Sequence, residues 1–282
     1  MKIRPYITFD GECNEALELY KRAFKTDTLQ VMRFSDLPPN PTVTIPKEYE
    51  NRIVQATLKL GDNFIRMSDC GPQQSLDAPK SERVTIAAEM SADQVKYAFD
   101  VLAEQGCVTM PLEKTFYSPA AGDVVDKFGV IWRLVAQDVS QTTGAEMDFV
   151  VLDSIKALEL YESIFEVQRV EITGFEIGKN EAVFTMYGAR FHMLDENPAY
   201  QLIAPKPGDP KPVWVNIVVP DIKETYGRAI AAGCAEVQLV TEMEAFGISN
   251  AMFSDPFGYL WMLHQIHREV SFEERCRIME QS

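Results

Sequence analysis

Histidine and cysteine, the residues that most often bind transition metals, are scarce in this sequence. It has three histidines and five cysteines among 282 residues, and no two cysteines form a CxxC pair. An odd number of widely spaced cysteines argues against a disulfide scaffold or a structural zinc site and favours a reducing compartment. We therefore expect a cytoplasmic protein in which metal chemistry has few candidate ligands.

Basic clusters and long apolar runs are also lacking. The chain has 27 Lys and Arg against 42 Asp and Glu, a net charge of −15. Nucleic acids and anionic membranes are bound by clustered basic residues, and a membrane span needs about 18 consecutive apolar residues. The signatures GxSxG, the P-loop and GxGxxG are absent too. We expect a small-molecule ligand as partner, no nucleic acid and no membrane, and a monomer or homodimer.

What the sequence does contain is a repeat. The sequence DKFGVIW at residues 126–132 is echoed by DPFGYLW at residues 255–261, and ALELY at residues 16–20 recurs at residues 157–161. Matched landmarks in one order indicate duplication of a whole module. In DxFG, an Asp that accepts a backbone hydrogen bond and a Gly that tolerates positive φ are typical of a turn before a strand. The motif therefore predicts the fold rather than a reaction.

The repeat divides the chain into a first half at 1–138, a second half at 145–267 and a helical tail at 268–282. Periodicity predicts the order strand, helix, strand hairpin, strand, helix, strand in each half. Capping residues and glycines delimit the helices. The predicted helices are 14–24, Ser91 to about 105, 155–165 with Asp153 as its N-cap, and 221–232.

A proline-rich stretch at 35–51 lengthens the first half. Pro38, Pro39 and Pro41 predict a loop. It is either a plain surface insertion or a lid over a pocket, in which case Tyr49 and Arg52 could reach a ligand.

Further motifs accompany the repeat: DGECNEA at 10–16, IRMSD at 65–69, HMLD at 192–195 and the repeated FGxxW. Together they resemble the vicinal oxygen chelate superfamily (glyoxalase I, bleomycin-resistance proteins, extradiol dioxygenases), and within it the PhnB-like branch. The resemblance implies an α+β fold of two tandem βαβββ-type modules. Each half would form a curved mixed sheet, and the two sheets would pair as an open barrel that encloses a cleft.

Metal-dependent members of that superfamily take ligands from the first and last strands of each half. The corresponding positions here are Pro5, Arg133, Glu146 and Met262. Only Glu146 suits a hard divalent ion, because arginine is a permanent cation and a thioether is a poor ligand. We therefore predict no cofactor and no usual metal centre.

An atypical metal site stays open as an alternative. His264 lies two residues beyond Met262 and so faces the same side of its strand. If it converged with His192 and Glu146, a divalent metal ion could bind to two imidazoles and a carboxylate.

Arg133 lies between Trp132 and Leu134 in an otherwise apolar strand, and Arg66 lies in a hairpin strand. A buried arginine needs a carboxylate partner or an anionic ligand. Each arginine either pairs with a neighbouring Asp or Glu or binds an acidic small molecule.

We expect a small-molecule-binding protein without the usual metal centre. The alternatives are a metal-dependent lyase, isomerase or dioxygenase with atypical ligands, and a drug-sequestering resistance protein. Aromatic residues could supply a stacking surface, although most should lie in the core: Tyr6, Phe9, Trp132, Phe149, Trp214 and Trp261. The candidate ligand-binding residues are Arg66, Arg133, Glu146, His192, Met262 and His264.

Overall fold

The computed structural model describes residues 4–37, 45–61, 63–72, 85–115, 118–137, 144–176, 179–200, 202–206, 213–271, 274, 277 and 278. Within them, sixteen strands and four α-helices form four βαβββ units, two in each half. The predicted α+β class is confirmed. The junction between the halves and most of the predicted C-terminal helix lie outside the described residues, so those boundaries stay predictions.

The four units follow one another along the chain. The first contains β1 (Arg4–Phe9), α1 (Cys13–Phe24), β2 (Thr28–Arg33), β3 (Ile53–Leu60) and β4 (Asn63–Asp69). The second contains β5 (Thr85–Met90), α2 (Ala92–Ala103), β6 (Cys107–Glu113), β7 (Ala121–Val125) and β8 (Ile131–Ala136). The third contains β9 (Gly144–Val151), α3 (Ser154–Ile164), β10 (Val167–Glu176), β11 (Lys179–Met186) and β12 (Ala189–Asp195). The fourth contains β13 (Val213–Val218), α4 (Ile222–Ala231), β14 (Ala235–Met243), β15 (Ile248–Ser254) and β16 (Leu260–Ile266).

Each eight-stranded sheet takes one unit from each half. The first sheet has the order β14-β15-β16-β13-β1-β4-β3-β2, and the second has the order β10-β11-β12-β9-β5-β8-β7-β6. The units join through the antiparallel pairs β1–β13 and β5–β9. The expectation of one sheet per half was therefore wrong. Within the described residues neither sheet closes into a barrel, and both have open edges. Four similar units offer similar strand edges, so the repeat alone does not determine which units pair.

Six strands were missed by the sequence prediction. Four of them, β2, β6, β10 and β14, are edge strands with mostly exposed side chains. The other two, β7 and β15, lie next to these edges and are largely buried. What was expected as one extra helix in each half is the helix of a second βαβββ unit.

The predicted helices are confirmed to within a few residues at their ends. Ser91 and Gln94 form the capping box of α2. Asp153 accepts a hydrogen bond from the Lys156 N–H at 3.0 Å, and Asp221 accepts one from the Glu224 N–H at 2.9 Å. These side chains satisfy N–H groups that a helix leaves without intrahelical partners. No helix in the described residues has both the length and the apolar character that a membrane crossing requires.

The helices connect the two sheets. Helices α1 and α4 pack on the first sheet and α2 and α3 on the second, while α1 contacts α2 and α3 contacts α4. Side chains from both sheets and all four helices form one hydrophobic core. The opposite face of each sheet points away from the helices.

A buried aspartate in each half joins the two repeated motifs. Asp126 accepts hydrogen bonds from the Tyr20 hydroxyl at 2.7 Å, from the Trp132 indole at 3.0 Å, and from the N–H groups of Phe128 and Val130 at 2.8 and 3.0 Å. Tyr20 belongs to the first unit and Asp126 to the second, so this carboxylate bridges the layers of the two sheets. Burial raises the pKa of Asp126, and the accepted hydrogen bonds oppose that rise.

The second half repeats this arrangement. Asp255 accepts hydrogen bonds from the Tyr161 hydroxyl and the Trp261 indole, both at 2.8 Å, and from the N–H groups of Phe257 and Tyr259 at 3.0 and 2.8 Å. The sequence echoes ALELY and DxFGxxW are therefore two parts of one hydrogen-bonded unit. The sequence analysis predicted only the turn around the aspartate. It did not predict the hydrogen bonds that the tyrosine and tryptophan side chains donate to it.

Two other motif residues are structural as well. Asp69 accepts hydrogen bonds from the N–H groups of Gly11 and Cys13 at the start of α1, both at 2.9 Å. Asp195 accepts one from the Ser154 N–H at the start of α3, at 2.6 Å. Both carboxylates thus attach the end of a strand to a helix N-terminus.

We expect Tyr20→Phe to lower the free energy of unfolding by about 1–3 kcal/mol, because it removes one hydrogen bond from a buried carboxylate. We expect a similar decrease for Tyr161→Phe. Urea unfolding measures the free energy of unfolding of each variant. Tyr97→Phe, at a surface tyrosine that contacts Lys25, is the matched control and should change stability by less than about 0.5 kcal/mol. Equal effects of Tyr20→Phe and Tyr97→Phe would contradict the structural role of the buried hydroxyl.

Candidate functional site on the outer sheet faces

Five of the six predicted site residues have described side chains, and these five lie on the sheet faces that point away from the helices. In these strands alternate side chains enter the core, and the ones between them are partly exposed. We call the outward side chains of β1, β4, β13 and β16 the first open face, and those of β5, β7, β8, β9, β11 and β12 the second open face. Arg66, Met262 and His264 belong to the first. Arg133, Glu146 and His192 belong to strands of the second, and the Glu146 side chain lies outside the described part.

The structure therefore does not bring the proposed His192, His264 and Glu146 set together, because His264 lies on a different sheet from the other two. Whether any of the six residues binds a ligand stays a prediction.

Arg133 is held by carboxylates on the second open face. Its guanidinium donates to both carboxylate oxygens of Asp123, at 3.0 and 2.8 Å, and to Asp148 at 2.8 Å. A bidentate arginine–carboxylate pair satisfies the planar donors of the guanidinium. Arg133 therefore pairs with neighbouring carboxylates, as one of the two alternatives proposed. The Arg133 side chain is mostly buried.

His192 extends this network. Its Nε2 contacts Glu181 and its Nδ1 lies 3.7 Å from Asp148. Burial alone would lower the pKa of His192, but its contacts with the two carboxylates raise it to about 9. Burial alone would raise the pKa of Asp148, but His192 and the charge of Arg133 lower it. At neutral pH the second open face is therefore a network of two cations and three carboxylates.

The first open face has a different character. Tyr6 and Trp214 are opposite each other on β1 and β13, and their rings stack with centroids 5.9 Å apart and planes inclined by 15°. Arg66 is the neighbour of Tyr6 on β4. Of the aromatic residues expected to offer a stacking surface, these two lie on an open face, whereas Phe9, Trp132, Phe149 and Trp261 are buried in the core.

His264 carries no charge at neutral pH. Burial, and to a lesser degree the positive charge of Arg66, lowers its pKa to about 4. These residues lie on β16 and β4, with β13 and β1 between them.

Two buried polar atoms of the first open face have no hydrogen-bond partner within the described residues: Thr8 Oγ1 and His264 Nε2. Leaving such an atom unsatisfied costs about 1–3 kcal/mol, and a native structure rarely does so without a reason. In the described part of the second open face, no buried side-chain polar atom is left in this state. Among the described residues, the chain thus supplies hydrogen-bond partners for the buried polar side-chain atoms of the second open face, but not for Thr8 Oγ1 and His264 Nε2 of the first.

Three of the four residues assigned above to the superfamily's metal positions have other contacts in the structure. Pro5 pairs with Val215 and is buried. Met262 Sδ accepts a contact from the Asn216 amide at 3.4 Å, and Arg133 is ion-paired. Among the described residues, no three His, Cys, Asp or Glu side chains are grouped as a metal ion would require.

Pro5 was also the wrong counterpart of Glu146. The segment between β1 and α1 is one residue longer than that between β9 and α3, so counting from the helix tyrosine misplaces the strand by one position. In the sheet, Tyr6 pairs with Arg66 as Asp148 pairs with His192. Glu146 therefore corresponds to Arg4.

A polar cavity of about 770 Å³ opens beyond the ends of β1 and β4, and its lining includes Asp10, Arg33 and Arg52. Arg52 bonds Asp10 at 2.7 Å and lies over the Tyr49 ring at 4.2 Å. The predicted lid contributes residue 48 and residue 51 to this lining, while residues 38–44 of it lie outside the described part. The mixed charges of the cavity satisfy one another in part and do not single out a ligand.

His192 and His264 should titrate far apart, which NMR of the imidazole groups can resolve. We expect His192 to stay protonated up to about pH 9 and His264 to stay neutral down to about pH 4. Because the pKa of His192 in the folded state exceeds its usual 6.5, its stabilising contribution is complete below pH 6.5 and is lost as pH rises through 9. The stability difference between the natural chain and His192→Gln should shrink over that interval. A difference that is constant with pH would contradict the ion network.

Comparisons with known proteins agree with this architecture. No protein-family model matches the chain. The protein YjdN of Escherichia coli is 29% identical over 140 residues, which are 48% of this chain and 94% of YjdN. Glyoxalase I from Zea mays superposes with a TM-score of 0.66 at 13% identity, covering 94% of this chain and 92% of its own. A proposed dioxygenase of Bacillus subtilis superposes with a TM-score of 0.59 at 12% identity, covering 98% and 89%. The resemblance seen in the motifs is confirmed at the level of architecture: the chain has the tandem fold of the vicinal oxygen chelate superfamily.

Proposed function

We propose that this chain is a small-molecule-binding protein of the PhnB-like kind, without the usual metal centre, and that its ligand binds on the first open face. The observation that carries the proposal is the contrast between the two faces. On the second, the chain satisfies its own charged groups. On the first, Thr8 and His264 keep buried polar atoms without hydrogen-bond partners among the described residues, and the same face carries a stacked aromatic pair.

The Tyr6–Trp214 pair favours a ligand with a flat apolar part. Both rings are partly exposed, and an aromatic surface gains most from stacking with another ring. A few polar groups around an apolar surface are typical of small-molecule sites. Thr8 and His264 provide such groups on this face.

The position of Trp214 gives a direct test. Of the three tryptophans, Trp132 and Trp261 are fully buried and donate to aspartates, whereas Trp214 is partly exposed. Flat fragments such as benzamide and quinoline should therefore alter tryptophan fluorescence through Trp214, and Trp214→Phe should abolish the change. If a thermal-shift assay shows that a fragment binds, and the fluorescence change persists in Trp214→Phe, the ligand binds elsewhere and the proposal is wrong.

Metal content separates this proposal from a metal-dependent lyase, isomerase or dioxygenase. Protein purified without a histidine tag should contain much less than one divalent ion per chain by elemental analysis. Stoichiometric metal that is lost in Glu146→Ala or His264→Ala would overturn the metal-free assignment. His267→Ala is the matched control, because His267 bonds Ser249 near the end of the sheet.

A further inference from the structure

The two open faces carry different side chains at matching strand positions. On the second open face, Asp123 and Arg133 lie opposite each other on β7 and β8 and form a bidentate ion pair. In the first sheet β15 and β16 take the place of β7 and β8, and there Met252 lies opposite Met262. Both pairs lie at the same distance from the repeated DxFG turn. Two thioethers therefore replace an ion pair.

The replacement of charged side chains continues on the neighbouring strands. Tyr6 has the register position of Asp148, and Trp214 has that of Thr85. The structure describes every outward position of β13, β15 and β16, and none of them is Asp, Glu, Lys or Arg: Trp214, Asn216, Val218, Ile248, Asn250, Met252, Ser254, Leu260, Met262, His264 and Ile266. In a chain with 42 acidic and 27 basic residues, this composition indicates a surface that contacts an apolar molecule.

The position of Met262 allows a long side chain to reach across the next strand. Its counterpart Arg133 crosses β5 and bonds Asp148 on β9 at 2.8 Å. Met262 is directed across β13 in the same way, because its Sδ lies 3.4 Å from the amide nitrogen of Asn216 on that strand. The Met262 side chain thus extends from β16 toward the strands that carry the stacked rings.

Leu260 completes this surface on β16. It precedes Trp261, which pairs with Val215, so Leu260 stands beside Trp214. Leu260 and Met262 are partly exposed, whereas Met252 is 8% exposed and supports Met262 from the next strand. The apolar surface that begins at the Tyr6–Trp214 pair therefore continues over β16.

We propose that the ligand of the first open face is a planar molecule of two or more fused rings, with one ring on the Tyr6–Trp214 pair and the next over Leu260 and Met262. This inference rests on the proposed function and names its ligand class. Neighbouring strands lie about 4.8 Å apart, so the surface from β1 to β16 spans about 10 Å, more than one ring covers. A thioether is flexible and polarisable and makes favourable contacts with ring edges.

Benzamide and naphthalene-2-carboxamide are suitable probes, because they share the amide and differ by one fused ring. We expect the naphthalene amide to bind at least about tenfold more tightly in calorimetry, since its second ring buries apolar surface on Leu260 and Met262. Met262→Gln keeps the length of the side chain and removes its apolar end. It should reduce this gain to about threefold or less while changing benzamide binding little, and Met262→Leu should retain the gain.

A second methionine provides the matched control. Met110 is partly exposed on β6, where it is the register neighbour of Asp123 on the other sheet. Met110→Gln should preserve the gain. In NMR of labelled methionine methyl groups, the ring current of the naphthalene amide should shift the Met262 signal upfield and leave the Met110 signal in place. Because the two probes are compared within each protein, a general loss of stability cannot imitate the expected result.

The possible failures are distinguishable. If the naphthalene amide binds no more tightly than benzamide, and benzamide alters Trp214 fluorescence, the fused-ring assignment is wrong and the proposed small-molecule site stands. If the gain persists in Met262→Gln and the Met262 methyl signal does not move, the second ring lies elsewhere and the inference fails. A dimer in sedimentation that Met262→Gln dissociates would assign this surface to a second copy of the chain and overturn the inference. If neither probe binds, the inference and the proposed function both fail.

Discussion

The burial of one carboxylate in each half is the constraint on which the remaining architecture depends. Asp126 and Asp255 lie in the core, where an unsatisfied charge would be costly, and each accepts four hydrogen bonds. Two of the four come from the turn itself, one from a tryptophan on the following strand, and one from a tyrosine on a helix of the other sheet's layer. Removing a donor leaves a buried acceptor unsatisfied, so the helix motif and the turn motif depend on each other. The two sheets are thereby connected within each half, although every sheet is shared between the halves.

Sequence analysis recovers the parts of this fold that are encoded locally. Helix caps such as Ser91 and Asp153 are visible because a short polar side chain at that position satisfies the free N–H groups of the first turn. Edge strands are not visible in this way. The edge strand β6 alternates Val108, Met110 and Leu112 with other residues, but it contains Pro111, which strands seldom include, and it exposes most of its side chains. Pairing between units is also hidden, because the four units present similar edges.

The candidate site was predictable to a similar extent. Arg133 attracts notice because a cation in an apolar strand needs a counter-charge. The same argument applies to Asp148, which lies between Met147 and Phe149, and this signal was missed. Which groups meet depends on strand register and on the exchange of units between sheets. A difference of one residue in the β1–α1 connection was enough to assign Pro5 where Arg4 stands.

Duplication within one chain explains how the two faces could come to differ. Residues that point toward the helices must fill a shared core, and an exchange there would create a cavity or a clash. Residues on the open faces contact mainly one another, so the core constrains them less. In a symmetric pair of identical chains, any change on one face would appear on both. In a fused chain the second face can combine Arg133, Asp148 and His192 into a closed network, while the first retains Thr8 and His264 with buried polar atoms that have no hydrogen-bond partner among the described residues. In the function proposed for this chain, one face is structural support and the other binds the ligand.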